Sequence, residues 1–319
     1  MAHSVTLAYG ETLHGKTSFL DSVMQYLLKQ NPNTRARLAT CENFDSLQPW
    51  IDAKVLDVWQ LDQRDEPFDT IALASLGYWP IDPTDPTSKL LPPEKQKDFS
   101  MVEARFFEGM ATYCDFMMGG YAKGGLAARS GRGERIGPAE ETISFTDGGQ
   151  KVGGNPRTHY NIAQRWIHGA VTNSKKLPGH VIWTSHEVVA KDDRSQKPIL
   201  GPELVGTAAT SSATRWFGNT IHVLRVDKRI PATQGRETAL VSEYRLYLKA
   251  HYSDEIPTIP YKAVLRVSPM IQEKADAIVP LYILNNSNAY SQLMEIRSKI
   301  DTLSKGLIQE IKGGLTYEN

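Results

Sequence analysis

Residues 4–30 read SVTLAYGETLHGKTSFLDSVMQYLLKQ, and the fold turns on how the middle of this stretch is read. Gly10, Gly15, Lys16 and Thr17 meet the pattern G-x-x-x-x-G-K-T. Ordinary glycine and lysine usage would produce that pattern by chance in about one chain in a hundred of this length. Its neighbours give the match its meaning. Ser4–Tyr9 is a short apolar, β-favouring run, and Phe19, Leu20, Val23, Met24, Leu27 and Leu28 recur at helical spacing directly after the glycines. Strand, glycine loop and helix in that order are the setting in which such a loop cradles phosphate.

Each residue type has a physical reason to be there. Gly10 and Gly15 permit backbone conformations that side chains block, so that amide N–H groups can turn inward. A helix starting near Lys16 directs its positive end at an anion. On this reading the segment Gly10, Glu11, Thr12, Leu13, His14, Gly15, Lys16, Thr17 and Ser18 wraps a triphosphate tail. Lys16 then reaches the β- and γ-phosphates, and the Thr17 hydroxyl sits on Mg²⁺. The competing reading is a glycine turn that only joins a strand to a helix. With no guanine-recognition motif in view, ATP is the expected nucleotide.

The bulk properties narrow the field. A chain of 319 residues can bury a full α/β core with room for one insertion. Its formal net charge is zero, so any contact with nucleic acid must be local. Two cysteines, Cys41 and Cys114, without paired spacing argue against a disulfide scaffold or a zinc site. The sequence enters a strand directly, with no signal-peptide pattern, and no apolar run approaches membrane-spanning length. The expectation is a cytoplasmic protein without a membrane partner.

Strand candidates at 4–9, 36–40, 54–60, 69–75, 180–185 and 219–226 alternate with helical patterns, which predicts βαβ units and a mainly parallel sheet. Later, EYRLYLKAHYS (243–253) and YKAVLRVS (261–268) alternate polar and apolar residues, which predicts a late antiparallel hairpin. Residues 1–285 read as one domain. Over 286–319, Leu293, Ile296, Ile300, Leu303, Leu307 and Ile311 form one stripe of an amphipathic helix. That helix packs either on its own core or on a neighbouring subunit. The stretch 119–157 is rich in glycine and carries Lys123, Arg129, Arg132, Arg135, Lys151 and Arg157. It is either a basic loop that closes on a phosphate backbone or a solvated insertion.

Four segments together resemble the RecA-like ATPase core, in particular phage-encoded nucleotide-binding proteins related to the RecA and RadA recombination ATPases. They are the glycine loop, ARLATCENFDSL (36–47), FDTIALASLGYW (68–79) and VIWTSHE (181–187). The resemblance implies a three-layer α/β P-loop core that hydrolyses ATP. It implies further an oligomeric ring or filament that binds single-stranded DNA in recombination or replication, in the host cytoplasm if phage-encoded. It gives Glu42 the place of the acid that polarises the attacking water, although a helix-start acid would look the same. His186 falls at the strand end that senses the γ-phosphate, with Ser185 a weaker candidate and a surface histidine the plain alternative. Lys191, Arg194 and Lys197 fall on the loop that meets DNA, and Arg245, Lys249 and Lys262 on a hairpin whose cations reach a neighbour's phosphates.

One departure stands out. The resemblance puts the aspartate that normally ends the third segment's strand at Ala74, followed by Ser75. Glu42, Asp45 or Asp82 could then supply the missing carboxylate, or turnover could be slow or nil, leaving a nucleotide-gated assembly protein. A packaging-motor subunit and a small-substrate kinase are the other readings. The first lacks a nuclease-like carboxylate cluster, and the second lacks an obvious arginine-rich lid.

Overall fold

The structure, a computed structural model, describes residues 5–61, 67–85, 87–96, 102–114, 143–147, 150–154, 157–191, 197–204, 212–230, 239–252 and 259–315. Its strands are β1 (Thr6–Tyr9), β2 (Arg35–Thr40), β3 (Leu56–Gln60), β4 (Trp79–Pro80), β5 (Leu90–Leu91), β6 (Val102–Glu108), β7 (Ile143–Asp147) and β8 (Gln150–Gly154). They continue with β9 (His180–Ser185), β10 (Glu187–Lys191), β11 (Pro198–Pro202), β12 (Asn219–Ile230), β13 (Ala239–Tyr247), β14 (Lys249–Tyr252), β15 (Pro260–Leu265) and β16 (Tyr282–Leu284). Helix α1 (Lys16–Gln30) follows β1, α2 (Gln48–Asp52) follows β2 and α3 (Pro67–Ser75) follows β3. Longer helices span Arg157–Ser174 and Ala289–Leu315, a short one spans Gln272–Ile278, and residues 110–114 are helical.

Adjacent residues on the central strands enter different cores. Leu7, Ala39, Phe107 and Trp183 face one cluster, while Ala8, Leu38, Phe106 and Ile182 face the other. Strands buried on both faces need no polar alternation, which is why they read as continuous apolar runs. The first cluster is closed by Ile71 and Ala74 of α3, by Met110 and Tyr113, and by Ala163, Ile167, Ala170 and Val171 of Arg157–Ser174. The second is closed by Phe19, Leu20, Val23, Met24 and Leu27 of α1 and by Tyr290, Leu293, Ile296 and Ile300 of the terminal helix. The result is helix, sheet, helix in three layers.

The sheet runs β12-β1-β9-β6-β2-β3 with every neighbour parallel. Beyond it the pairing turns mainly antiparallel, with β11 parallel to β15. The first residues of β12 take β15, its longer remainder takes β13, and β16 pairs with β13. β14 pairs antiparallel with β15, and β11 and β10 extend the edge. The expected mainly parallel sheet with late antiparallel strands is therefore present. The terminal helix packs on its own core, with Tyr290 set 5.9 Å from Phe19 between ring centroids. Its stripe fades toward the end, where Ile311 is exposed. Among the described residues no helix is long and apolar enough to cross a membrane.

One expected strand is a helix. Residues 69–75 lie in α3, where Ile71, Ala74 and Ser75 are buried at spacings of three and four, a helical face. A short apolar run fits either period, and the alanines and leucine of this one favour the helix. The strand between β9 and β2 is β6, VEARFFE, in which Glu103 and Arg105 interrupt the apolar run. Arg105 is nevertheless buried, its guanidinium donating to the carbonyls of Val102 and Pro178. Ala74 therefore ends no strand.

Candidate active site

β1 delivers its loop at the centre of the sheet. The Gly10 amide donates to the Ser185 carbonyl at 3.3 Å, and a Cβ at Gly10 would lie 2.2 Å from the Val223 oxygen. No other residue fits there. The loop then turns through positive φ at Leu13 (66°) and Gly15 (94°), which reverses the chain into α1. The first turn of α1 has neither a side-chain cap nor an acidic residue, so its amides face outward with the positive end of the dipole intact. Lys16 is buried, and its ammonium donates to the carbonyls of Gly10 and Glu11 at 2.8 Å each. Burial lowers its pKa, against the opposing pull of Glu42 and Glu108. The rest of the loop, Glu11, Thr12, Leu13 and Ser18, is exposed, and His14 lies 3.5 Å from Glu11.

Parallel pairing sets the strand ends level. Tyr9 aligns with Ser185 and Thr40 with Glu108, so Gly10, His186, Glu42 and Gly109 all leave the same edge of the sheet. In open α/β sheets this carboxyl edge is where ligands bind. The Thr17 hydroxyl donates to Glu108 Oε1 at 3.0 Å, while the buried Glu108 Oε2 has no hydrogen-bond partner among the described residues. Burial, reinforced by the charge of Glu42, raises the Glu108 pKa to about 7.

Glu42 Oε1 lies 3.0 Å from His186 Nε2 and accepts from the Thr112 hydroxyl at 3.1 Å. Burial pushes the Glu42 pKa up, but these hydrogen bonds and the charges of His186 and Lys16 outweigh it and leave it lowered. His186 Nδ1 sits 3.5 Å from the Lys16 ammonium. The ring donates to Glu42 from Nε2. Lys16, Thr17, Glu42 and His186, picked out from sequence in three separate segments, thus converge.

The other candidates are engaged elsewhere. Asp45 accepts from Asn43, Asp82 holds an exposed turn through Thr84, and the Ser185 hydroxyl donates to the Glu203 carbonyl. Lys249 donates to the Asp276 carbonyl, and Arg245 pairs with Glu243 at 2.5 Å and lies over the Tyr282 ring. Lys191 is exposed at the end of β10, whereas Lys123, Arg129, Arg132, Arg135 and Arg194 lie outside the described residues.

Sequence reasoning missed Glu108, Gly109 and Thr112; Glu187 stands beside His186 at the strand end that the sequence marks. The Glu187 carboxylate lies 2.9 Å from buried His222. Glu108–Gly109 was visible as an acid and a glycine after an aromatic pair, but only once β6 is known to be a strand. Among the described residues no group of three or more His, Cys, Asp or Glu could hold a metal ion. No protein-family model and no curated protein matches the chain.

Proposed function

We propose that the chain binds a nucleoside triphosphate, ATP by default, on the Gly10–Ser18 loop and hydrolyses it at the carboxyl edge of the sheet. The observation that carries the reading is the Thr17 hydroxyl on the Glu108 carboxylate, with Glu42 held beside them by His186. A hydroxyl following the loop lysine, facing a strand-terminal acid, is the pairing that nucleotide-hydrolysing P-loops use. The strand order β12-β1-β9-β6-β2 supports the RecA-like version of that fold, in which the acid-bearing strand lies one strand removed from the loop strand. On this reading Glu108, not Ala74, takes the strand-terminal acid position. The argument for a turnover-poor assembly protein goes with Ala74.

The residues suit magnesium. Glu108 Oε2 is buried and has no partner among the described residues, and a second-sphere carboxylate of this kind would accept from a metal-bound water. Magnesium, when bound, spreads the negative charge of the phosphates. The protein's own groups do the rest. Lys16 leaves the Gly10 and Glu11 carbonyls for the phosphate oxygens. Glu42, held ionised below the usual range, accepts the proton of the attacking water as the bond from γ-phosphorus to the bridging oxygen breaks, giving nucleoside diphosphate and inorganic phosphate. Single-stranded DNA and a ring or filament of copies belong to the same proposal, supported by the RecA-like resemblance.

Phosphate release with magnesium and ATP, with and without single-stranded DNA, is the test. Glu42→Gln should keep ATP affinity and lose at least about a hundredfold in rate, the scale of a positioned general base. An unchanged rate in that variant would remove Glu42 from the chemistry, and no stimulation by DNA would remove the nucleic-acid partner.

A further inference from the structure

We propose that Thr112 is a positioning residue for Glu42, working over a floor left open by Gly109; the inference rests on the hydrolytic reading above. Glu42 leaves the end of β2 in a bend, where its own segment holds only its backbone, through the amide that donates to Thr40 Oγ1 at 3.0 Å. The carboxylate is fixed from outside. His186 and Thr112 approach Oε1 at 3.0 and 3.1 Å, and Oε2 receives no bond from a described residue. Two donors on one oxygen stop the group from spinning and leave the other oxygen to accept a proton from water.

Gly109 makes that placement possible. A Cβ there would lie 2.8 Å from Glu42 Cγ, 3.0 Å from Oε1 and 3.1 Å from Cδ, and the residue's φ is +87°. A side chain at 109 would therefore be strained and would push the carboxylate away. Gly109 is itself pinned. Its amide donates to Thr184 Oγ1 at 3.2 Å, and its carbonyl accepts from the Tyr113 amide at 2.8 Å and from the Cys41 thiol at 3.6 Å. The ends of β2, β6 and β9 are tied together beneath the Glu42 carboxylate. His186 also touches Lys16, so its loss would disturb two groups at once. Thr112 is neutral and half-buried, which makes it the cleaner probe.

Thr112→Val keeps the shape and removes the hydroxyl. Its kcat should fall about tenfold, the effect of one hydrogen bond to a charged group, with ATP affinity unchanged within about twofold. The acid limb of the kcat–pH profile should move upward, because the ionised carboxylate loses a donor, and Thr112→Ser should restore rate and limb. The charged and titratable groups facing Glu42, namely His186, Lys16, Glu108, Cys41 and Tyr113, stay in place in both variants. A second readout needs no nucleotide: carboxyl-carbon NMR of the unliganded protein should show the Glu42 midpoint raised in Thr112→Val and restored in Thr112→Ser. A wild-type rate together with an unmoved midpoint in Thr112→Val overturns the proposal. If Glu42→Gln is inactive while Thr112→Val is normal, only this inference fails; if Glu42→Gln keeps the wild-type rate, Glu42 leaves the chemistry and this inference falls with it, and if the wild type releases no phosphate the hydrolytic reading itself fails.

Discussion

At neutral pH the Glu108 carboxyl is balanced between its two protonation states, because burial and the charge of Glu42 move its pKa from 4.5 to about 7. The fold therefore favours the protonated form. Its contribution to stability is complete below pH 4.5, where the unfolded carboxyl is also protonated. It declines as pH rises and is gone above about 7, where both states are ionised. The loss is of order 3–4 kcal/mol, since each pKa unit is worth about 1.4 kcal/mol. Glu108→Gln keeps an acceptor for Thr17 and cannot ionise. Subtracting its unfolding free energy from that of the wild type should leave a difference that moves against the wild type between pH 5 and pH 8. Urea titrations at both pH values check this, and a flat difference would mean the carboxylate has partners or solvent that relieve its burial.

Among the elements, α3 tests the reassignment of the strand-terminal acid. Were Ala74 the end of a central strand at the phosphate edge, Ala74→Asp would add a useful carboxylate and raise turnover. It lies instead on a helix, 5 % exposed, packed in the cluster with Ile71 and Ala163. A carboxylate there loses its water without gaining a partner, so Ala74→Asp should cost about 3 kcal/mol or more and leave hydrolysis no faster. Denaturation midpoint and phosphate release together decide it, and a faster, stably folded variant would restore the strand reading. The same pair of elements shows why some of the site was legible and some was not. β1, the glycine loop and α1 announce themselves because a β-run and a helical period meet at Gly10 and Gly15. Thr40 and Ser185 close apolar runs, and the RecA-like resemblance of those segments drew attention to Glu42 and His186. β6 is different: Arg105 breaks the pattern and becomes tolerable only because the Val102 and Pro178 carbonyls receive its guanidinium. The partnership of Thr17 with Glu108 depends on β9 lying between β1 and β6, a tertiary fact that no local period encodes.

Over the whole molecule, the loop joins the two most deeply shared parts of the fold. β1 is hydrogen-bonded to β9 on one side and β12 on the other, and α1 lies in the same core as the terminal helix. The loop geometry cannot survive unfolding of either, so a ligand gripped by the Gly10–Ser18 amides binds the native state alone. Its binding energy then appears as global stability, about 2.7 kcal/mol when free ligand is a hundred times Kd. A non-hydrolysable ATP analogue with magnesium should raise the thermal midpoint of the full chain and do so further with each increment of ligand. Lys16→Ala should abolish the shift. The Lys16 ammonium already spans two carbonyls in the free loop, so that variant should lose a little intrinsic stability as well, of order 1 kcal/mol for the pair of contacts. The two effects separate in one experiment, because the intrinsic loss is seen without ligand and the lost grip only with it. An equal ligand-induced shift in wild type and Lys16→Ala would mean the analogue binds somewhere other than this loop.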